Sequence, residues 1–194
     1  MASDPLRILF VCGSDFDAAA EKQALWLARE LSGRGHRVMM SLQGNRTTAT
    51  SEGADRIAGV HLHWHGFRGR AARGRDVDAA SGFAPDLIHA RTSRLPTLAA
   101  TRSYANATGA AVFVHWMDDE WGAAPRPPLR AAPGQRARLA ARHSLSALNP
   151  RFWHFSTPWS LEWATRHALA FDALTPALAE EVRRRTGREC AVIP

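Results

Sequence analysis

The stretch Arg7-Ile8-Leu9-Phe10-Val11-Cys12, followed by a short polar loop and a segment ending Gly33-Arg34-Gly35-His36-Arg37-Val38, decides the fold. Residues 7–12 have the length and apolarity of a strand buried on both faces. Ser14 and Asp17 have the spacing of a capping box, which predicts that the loop feeds a helix. Ala24, Leu27, Ala28 and Leu31 then recur at helical spacing. Gly33 and Gly35 can supply a left-handed stop. Val38-Met39-Met40-Ser41-Leu42 reads as the next strand. Strand, helix and strand in such close order form a βαβ unit, the element of a parallel sheet.

The same alternation continues outward. Strands are predicted near 57–63, 86–90, 111–116, 171–174 and 189–193. A helix is predicted from about Leu95 to Ala107, with Pro96 in its first turn and Gly109 beyond its end. Others are predicted from Gln135 to Leu148, from Thr157-Pro158 onward, and from Thr175-Pro176 to Gly187. Residues 66–84, rich in glycine and charge, read as a surface loop. Residues 122–134 hold Pro125, Pro127, Pro128 and Pro133 and read as a loop too. The fold class is therefore α/β: a Rossmann-like, doubly wound parallel sheet of about seven strands in the order 3-2-1-4-5-6-7.

At 194 residues the chain fits a single domain with a sizeable core. No apolar run approaches a membrane span. Met1 to Pro5 lack a basic leader, so the expected location is cytoplasmic. Cys12 and Cys190, the two cysteines, read as reduced core thiols. The net charge is +7, and Lys22 is the only lysine. The arginines are dispersed and form no stripe interleaved with aromatics, so nucleic acid is not an expected partner. Arg183-Arg184-Arg185 reads as a solvated helix end. Arg126, Arg130, Arg136, Arg138 and Arg142 would supply a modest attraction to anionic membranes or phosphorylated acceptors.

In a doubly wound sheet ligands bind beyond the carboxyl ends of the strands. The first such loop is Gly13-Ser14-Asp15-Phe16-Asp17. It has one of the three glycines of a dinucleotide fingerprint, and its aspartates occupy the place of a phosphate. His61, His63 and His65 alternate along a strand and would share one face. No fourth ligand is identifiable, so they read as a strand face and no metal site is expected. Trp159 and Trp163, four apart, read as core. No Walker loop, Gly-x-Ser-x-Gly elbow or Cys-x-x-Cys is present. His115 ends the fifth strand and precedes Asp118, Asp119 and Glu120, which Trp116 and Trp121 flank. Carboxylates accept hydrogen bonds from sugar hydroxyls, and indole faces can cover a sugar ring.

The wording of several segments resembles the amino-terminal domain of GT-B-fold glycosyltransferases, and most closely the retaining family 4. These are the first βαβ unit with its "LARELSGRGHRV", Pro85-Asp86-Leu87-Ile88-His89-Ala90, Val114-His115 with Asp118-Asp119-Glu120, Phe171-Asp172-Ala173-Leu174-Thr175-Pro176 and Val192-Ile193-Pro194. Family members often carry two glycines where this chain has Gly13-Ser14. The resemblance implies one half of a GT-B fold, with residues 1–194 as the acceptor-side domain and the carboxy-terminal donor domain in cis or on a separate subunit. It implies transfer of a sugar from a nucleotide-sugar donor to a sugar or lipid-linked acceptor, with retention and without a required metal or other cofactor. His115 would be the catalytic-site histidine. Gly13, Ser14, Asp118, Asp119 and Glu120 would contact donor or acceptor. The fragment alone would be inactive. A non-catalytic partner- or membrane-docking subunit with the same fold is the alternative. A receiver domain is a poor fit, because the first strand ends Val11-Cys12-Gly13 and no lysine follows a late strand.

Overall fold

The structure, a computed structural model, describes residues 4–13, 19–43, 56–57, 59–65, 72, 74–117 and 158–193. Eight strands form one sheet: β1 (Arg7–Val11), β2 (Arg37–Gln43), β3 (Arg56–Ile57), β4 (Val60–His65), β5 (Leu87–Ala90), β6 (Ala111–Trp116), β7 (Ala170–Ala173) and β8 (Cys190–Val192). Five helices are described: α1 (Ala19–Gly33), α2 (Arg75–Phe83), α3 (Leu95–Thr108), α4 (Pro158–His167) and α5 (Pro176–Thr186). The sheet order is β3-β4-β2-β1-β5-β6-β7-β8. Seven strands are parallel, and their order is the expected 3-2-1-4-5-6-7. Among the described strands only the two-residue β3 runs antiparallel, as an edge arm turned against β4 at Gly59, where φ is +84°. The strand expected at 57–63 is thus a tight hairpin whose long arm starts at Val60. The glycine needed for its turn sits inside the apolar run.

Strand periodicity sorts the core. On one face Phe10, Met40 and Leu62 pack under Ala24 and Ala28 of α1. On the other, Leu9, Val11, Met39 and Ile88 meet Ala80, Ala100 and Tyr104 of α2 and α3. Farther along this second face, Val112, Val114, Trp116 and Phe171 pack against Leu161, Ala164, Ala179 and Val182 of α4 and α5. The Tyr104 hydroxyl is hydrogen-bonded to the Ser41 hydroxyl at 2.9 Å, which satisfies both polar atoms inside the core.

One expectation fails clearly. Residues 66–84 contain a helix, α2, rather than only a loop. Glycines and charges dominate the segment, but Val77, Ala80 and Phe83 fall three apart and pack on the second face. Asp76 and Asp78 occupy the first turn, where carboxylates favour the helix dipole. Tertiary packing here overrides a poor local propensity. Elsewhere the signals hold. Thr175 caps α5 by accepting from the Leu178 N–H, with Pro176 opening the helix. Gly109 and Gly187 close α3 and α5 in the left-handed conformation.

Candidate functional site

Register alone assembles a polar cluster on the α1 face of the sheet. Phe10 of β1 stands opposite His89 of β5, His89 opposite Phe113 of β6, and His115 opposite Asp172 of β7. His115 lies two residues beyond Phe113, so His89, His115 and Asp172 share one face. All three are buried. His89 Nε2 is 3.1 Å from one Asp172 oxygen, and His115 Nδ1 bonds the other. The His89 ring is walled by Phe10 at 5.0 Å and by Phe113, edge-on, at 5.2 Å.

Burial pushes the Asp172 carboxyl up, but hydrogen bonds from His115 and His89 outweigh it and hold the group well below the usual carboxylate range. As an anion Asp172 can only accept, so His115 Nδ1 and His89 Nε2 carry the donated protons. In a neutral His115 ring this tautomer leaves a lone pair on Nε2. That atom is buried and has no hydrogen-bond partner among the described residues. The arrangement can accept a proton, or a hydrogen bond from a hydroxyl, with the carboxylate fixing the ring. The three donor groups lie within 4.8 Å of one another, compact enough to surround a divalent ion. Both Asp172 oxygens accept from imidazole N–H groups.

Burial also pulls the His89 imidazole below its ordinary value near 6.5, against the hydrogen bond to Asp172. This fixes a sign. Between the folded and unfolded pKa of a depressed histidine, the unfolded chain binds more protons, so stability rises with pH there and is complete above about pH 6.5. The depressed Asp172 carboxyl adds stability present above about pH 4 that is lost as pH falls through its folded value. Urea midpoints should therefore be level from pH 8 to 7 and fall progressively below 6.5. A flat profile down to pH 4 would contradict the buried network.

Arg91 follows β5 on the same face. Its N–H continues the ladder to the Val11 carbonyl at 2.9 Å. The side chain is 2% exposed and lies within electrostatic reach of Cys12, Asp172 and Glu21. Glu21, in the first turn of α1, is buried as well.

Of the expected site residues, Gly13 lies two residues beyond β1 at the carboxyl edge, and a Cβ there would meet Thr97 Oγ1 at 2.7 Å. His115 is in the cluster. Ser14, Asp118, Asp119 and Glu120 lie outside the described residues, as do the arginines between 126 and 142 and the helix expected from Gln135. His63 pairs with Asp76 at 3.0 Å and His61 is exposed, so the two do not converge on a common ligand among the described residues. Trp163 is buried and its ring stacks on His167. Cys12 and Cys190 are buried free thiols. Arg183, Arg184 and Arg185 are paired with Glu180 and Glu181 along the exposed face of α5.

Sequence reasoning missed His89, Arg91 and Asp172 as site residues. The signal was available: a lone acid in Ala170-Phe171-Asp172-Ala173 and a lone histidine in Leu87-Ile88-His89-Ala90, each inside an apolar strand, require partners. An open groove of about 680 Å³ lies at the opposite, amino edge, lined by Arg102, Trp163, Arg166 and Arg188 among others. Arg166 there is paired with Glu162 in solvent. The His89–Asp172–His115 cluster lies toward the carboxyl ends of β5, β6 and β7.

No protein-family model and no curated protein matches the chain. Two solved structures show a distant likeness. One is the Bordetella bronchiseptica enzyme WbmH in complex with NAD+, at 11% identity and a TM-score of 0.43, with 95% of this chain and 64% of that chain covered. The other is the glycotransferase of kitacinnamycin, at 16% identity and a TM-score of 0.40, with 90% and 47% covered. The chain thus spans less than two thirds of the length of either. The parallel sheet order itself makes the fold Rossmann-like. No helix among the described residues is long and apolar enough to cross a membrane.

Proposed function

We propose that the chain is the acceptor-side domain of a glycosyltransferase that moves a sugar, with retention, from a nucleotide-sugar donor to a sugar or lipid-linked acceptor. The observation that carries this reading is His115: a buried imidazole at the carboxyl end of a central strand, oriented by Asp172 and with Nε2 unengaged among the described residues. Such a ring can accept a hydrogen bond from a sugar hydroxyl and hold it in one geometry. Gly13, two residues beyond β1, lets backbone come close to a ligand. Asp118, Asp119 and Glu120 would add acceptors for hydroxyl groups. No metal is required, because charge on the leaving phosphate would be met by preorganised donors of a second, donor-binding domain in cis or on a partner subunit.

The test is a transfer assay with a panel of nucleotide sugars, run on residues 1–194 and on a form extended through a donor domain. The extended form should turn over and the fragment should not, since the developing charge then meets water. In the extended form His115→Ala should lower kcat/KM by about 100-fold. Full activity of that variant, or turnover by the fragment alone, would overturn the reading.

A further inference from the structure

A buried donor and a buried acceptor stand open on the α1 face of the sheet. The donor is Arg91 Nε–H, in a side chain 2% exposed. The acceptor is His115 Nε2, whose lone pair follows from the Nδ1–H bonded to Asp172. Neither atom has a hydrogen-bond partner among the described residues. Leaving such atoms unmet in a buried site is costly, the more so for a group that cannot shed its charge.

Strand register sets them side by side. Ala90 stands opposite Val11 on one flank and Val114 on the other. One residue on, Arg91 comes between Cys12 and His115, and its N–H bond to the Val11 carbonyl carries the ladder past the end of β5. Arg91 is two residues beyond His89 and therefore shares its face, as His115 does. Neighbouring strands lie about 4.8 Å apart. The guanidinium is within electrostatic reach of Cys12, of His89 and of Asp172, the carboxylate that His115 bonds. His115 Nδ1 is turned to β7, which leaves Nε2 directed away from that strand. Both residues lie toward the carboxyl ends of their strands, the edge at which open α/β sheets take ligands.

The chemistry of the two atoms says what meets them. A carboxylate oxygen answers Arg91 but offers no proton to His115. An ammonium group does the reverse. A hydroxyl answers both through one oxygen, since its O–H donates to Nε2 while a lone pair accepts from Nε–H. Charge points the same way. The Asp172 carboxylate already opposes the guanidinium, and the buried Glu21 lies within its reach as well. A further anion in the same buried site would face like charge.

We propose that Arg91 and His115 together hold one hydroxyl of a neutral sugar, with Arg91 Nε–H donating to its oxygen and His115 Nε2 accepting from its O–H. Arg91 is then a binding residue that selects an uncharged ring substituent. This rests on the reading of His115 as the residue that takes a substrate hydroxyl, and adds to it the donor and the neutral character of the group.

The test titrates the full chain with glucose, galactose, mannose and N-acetylglucosamine, following Arg91 Nε–H and the His115 ring nitrogens by NMR. At least one sugar should move Arg91 Nε–H and His115 Nε2 together along one saturable curve. Arg91→Met should weaken that binding at least tenfold. Arg29→Met, which removes an exposed charge from α1, should leave it within twofold. If Arg91→Met does not fold, the wild-type resonances decide alone. The uronic acid of the sugar that binds should bind no more tightly than the sugar. Tenfold tighter binding of that acid through the same resonances would overturn the neutral character. No saturable shift of Arg91 Nε–H with any sugar, the outcome if a buried water holds the pair, would overturn the proposal, as would undiminished binding by a folded Arg91→Met. A shift of His115 without one of Arg91 would remove Arg91 and leave the reading of His115 standing. The transfer assay on the extended chain decides that reading separately.

Discussion

Replacing Asp172 with alanine should lower the unfolding free energy by about 3–5 kcal/mol, the range for removing one partner of a buried charged pair. The carboxylate is fully buried and accepts from two imidazoles at once. Its loss leaves the donated N–H groups of His89 and His115 without acceptors in a site water does not reach. Arg91 also loses a neighbouring negative charge. Asp172→Asn should be milder, about 1–3 kcal/mol, because the amide oxygen can still accept from one ring while its NH₂ faces the other. The groups act as a unit, so the loss in Asp172→Ala/His115→Ala should fall short of the sum of the single losses. Urea unfolding of the wild type, Asp172→Ala, Asp172→Asn, His115→Ala and the double variant measures all of this. An Asp172→Ala variant within 1 kcal/mol of wild type would mean that the hydrogen-bonded cluster contributes little.

How far the sequence disclosed these features depends on where the physical signal sits. The order of the seven parallel strands was legible because each is a short apolar run and each crossover carries a start or stop residue, such as Pro96, Gly109, Pro176 and Gly187. Right-handed crossovers then leave few arrangements. The β3–β4 hairpin was not legible, since Gly59 was read as part of one strand rather than as a turn. Nor was α2, whose apolar positions Val77, Ala80 and Phe83 are few and whose glycines argue against a helix. His115 was found from its place at a strand end. Its partner Asp172 was not, because pairing across 57 residues is a property of register and not of spacing. Arg91 was hidden for a different reason. In a chain with many arginines, nothing local marks the one that packing takes out of water.

Both faces of β1 bear on stability, but only one bears on the site, and a pair of truncations separates the two roles. Phe10→Ala should cost about 3–5 kcal/mol. The ring is fully buried, stands between Met40 and His89 in the sheet register, and packs beneath α1. It is also one wall of the His89 environment, at 5.0 Å between ring centroids. The cavity left by its removal opens that wall and weakens the desolvation that holds His89 low. The His89 pKa should therefore rise toward its ordinary value near 6.5, visible as an upward shift in its NMR titration. Leu9→Ala is the comparison. Leu9 is equally buried but points to the opposite face, into the core with Ile88 and Tyr104. It should cost about 2–5 kcal/mol and leave the His89 titration where it is. Equal shifts in the two variants would show that His89 responds to general loosening of the fold. A shift in Phe10→Ala alone ties the protonation of the buried cluster to one aromatic wall.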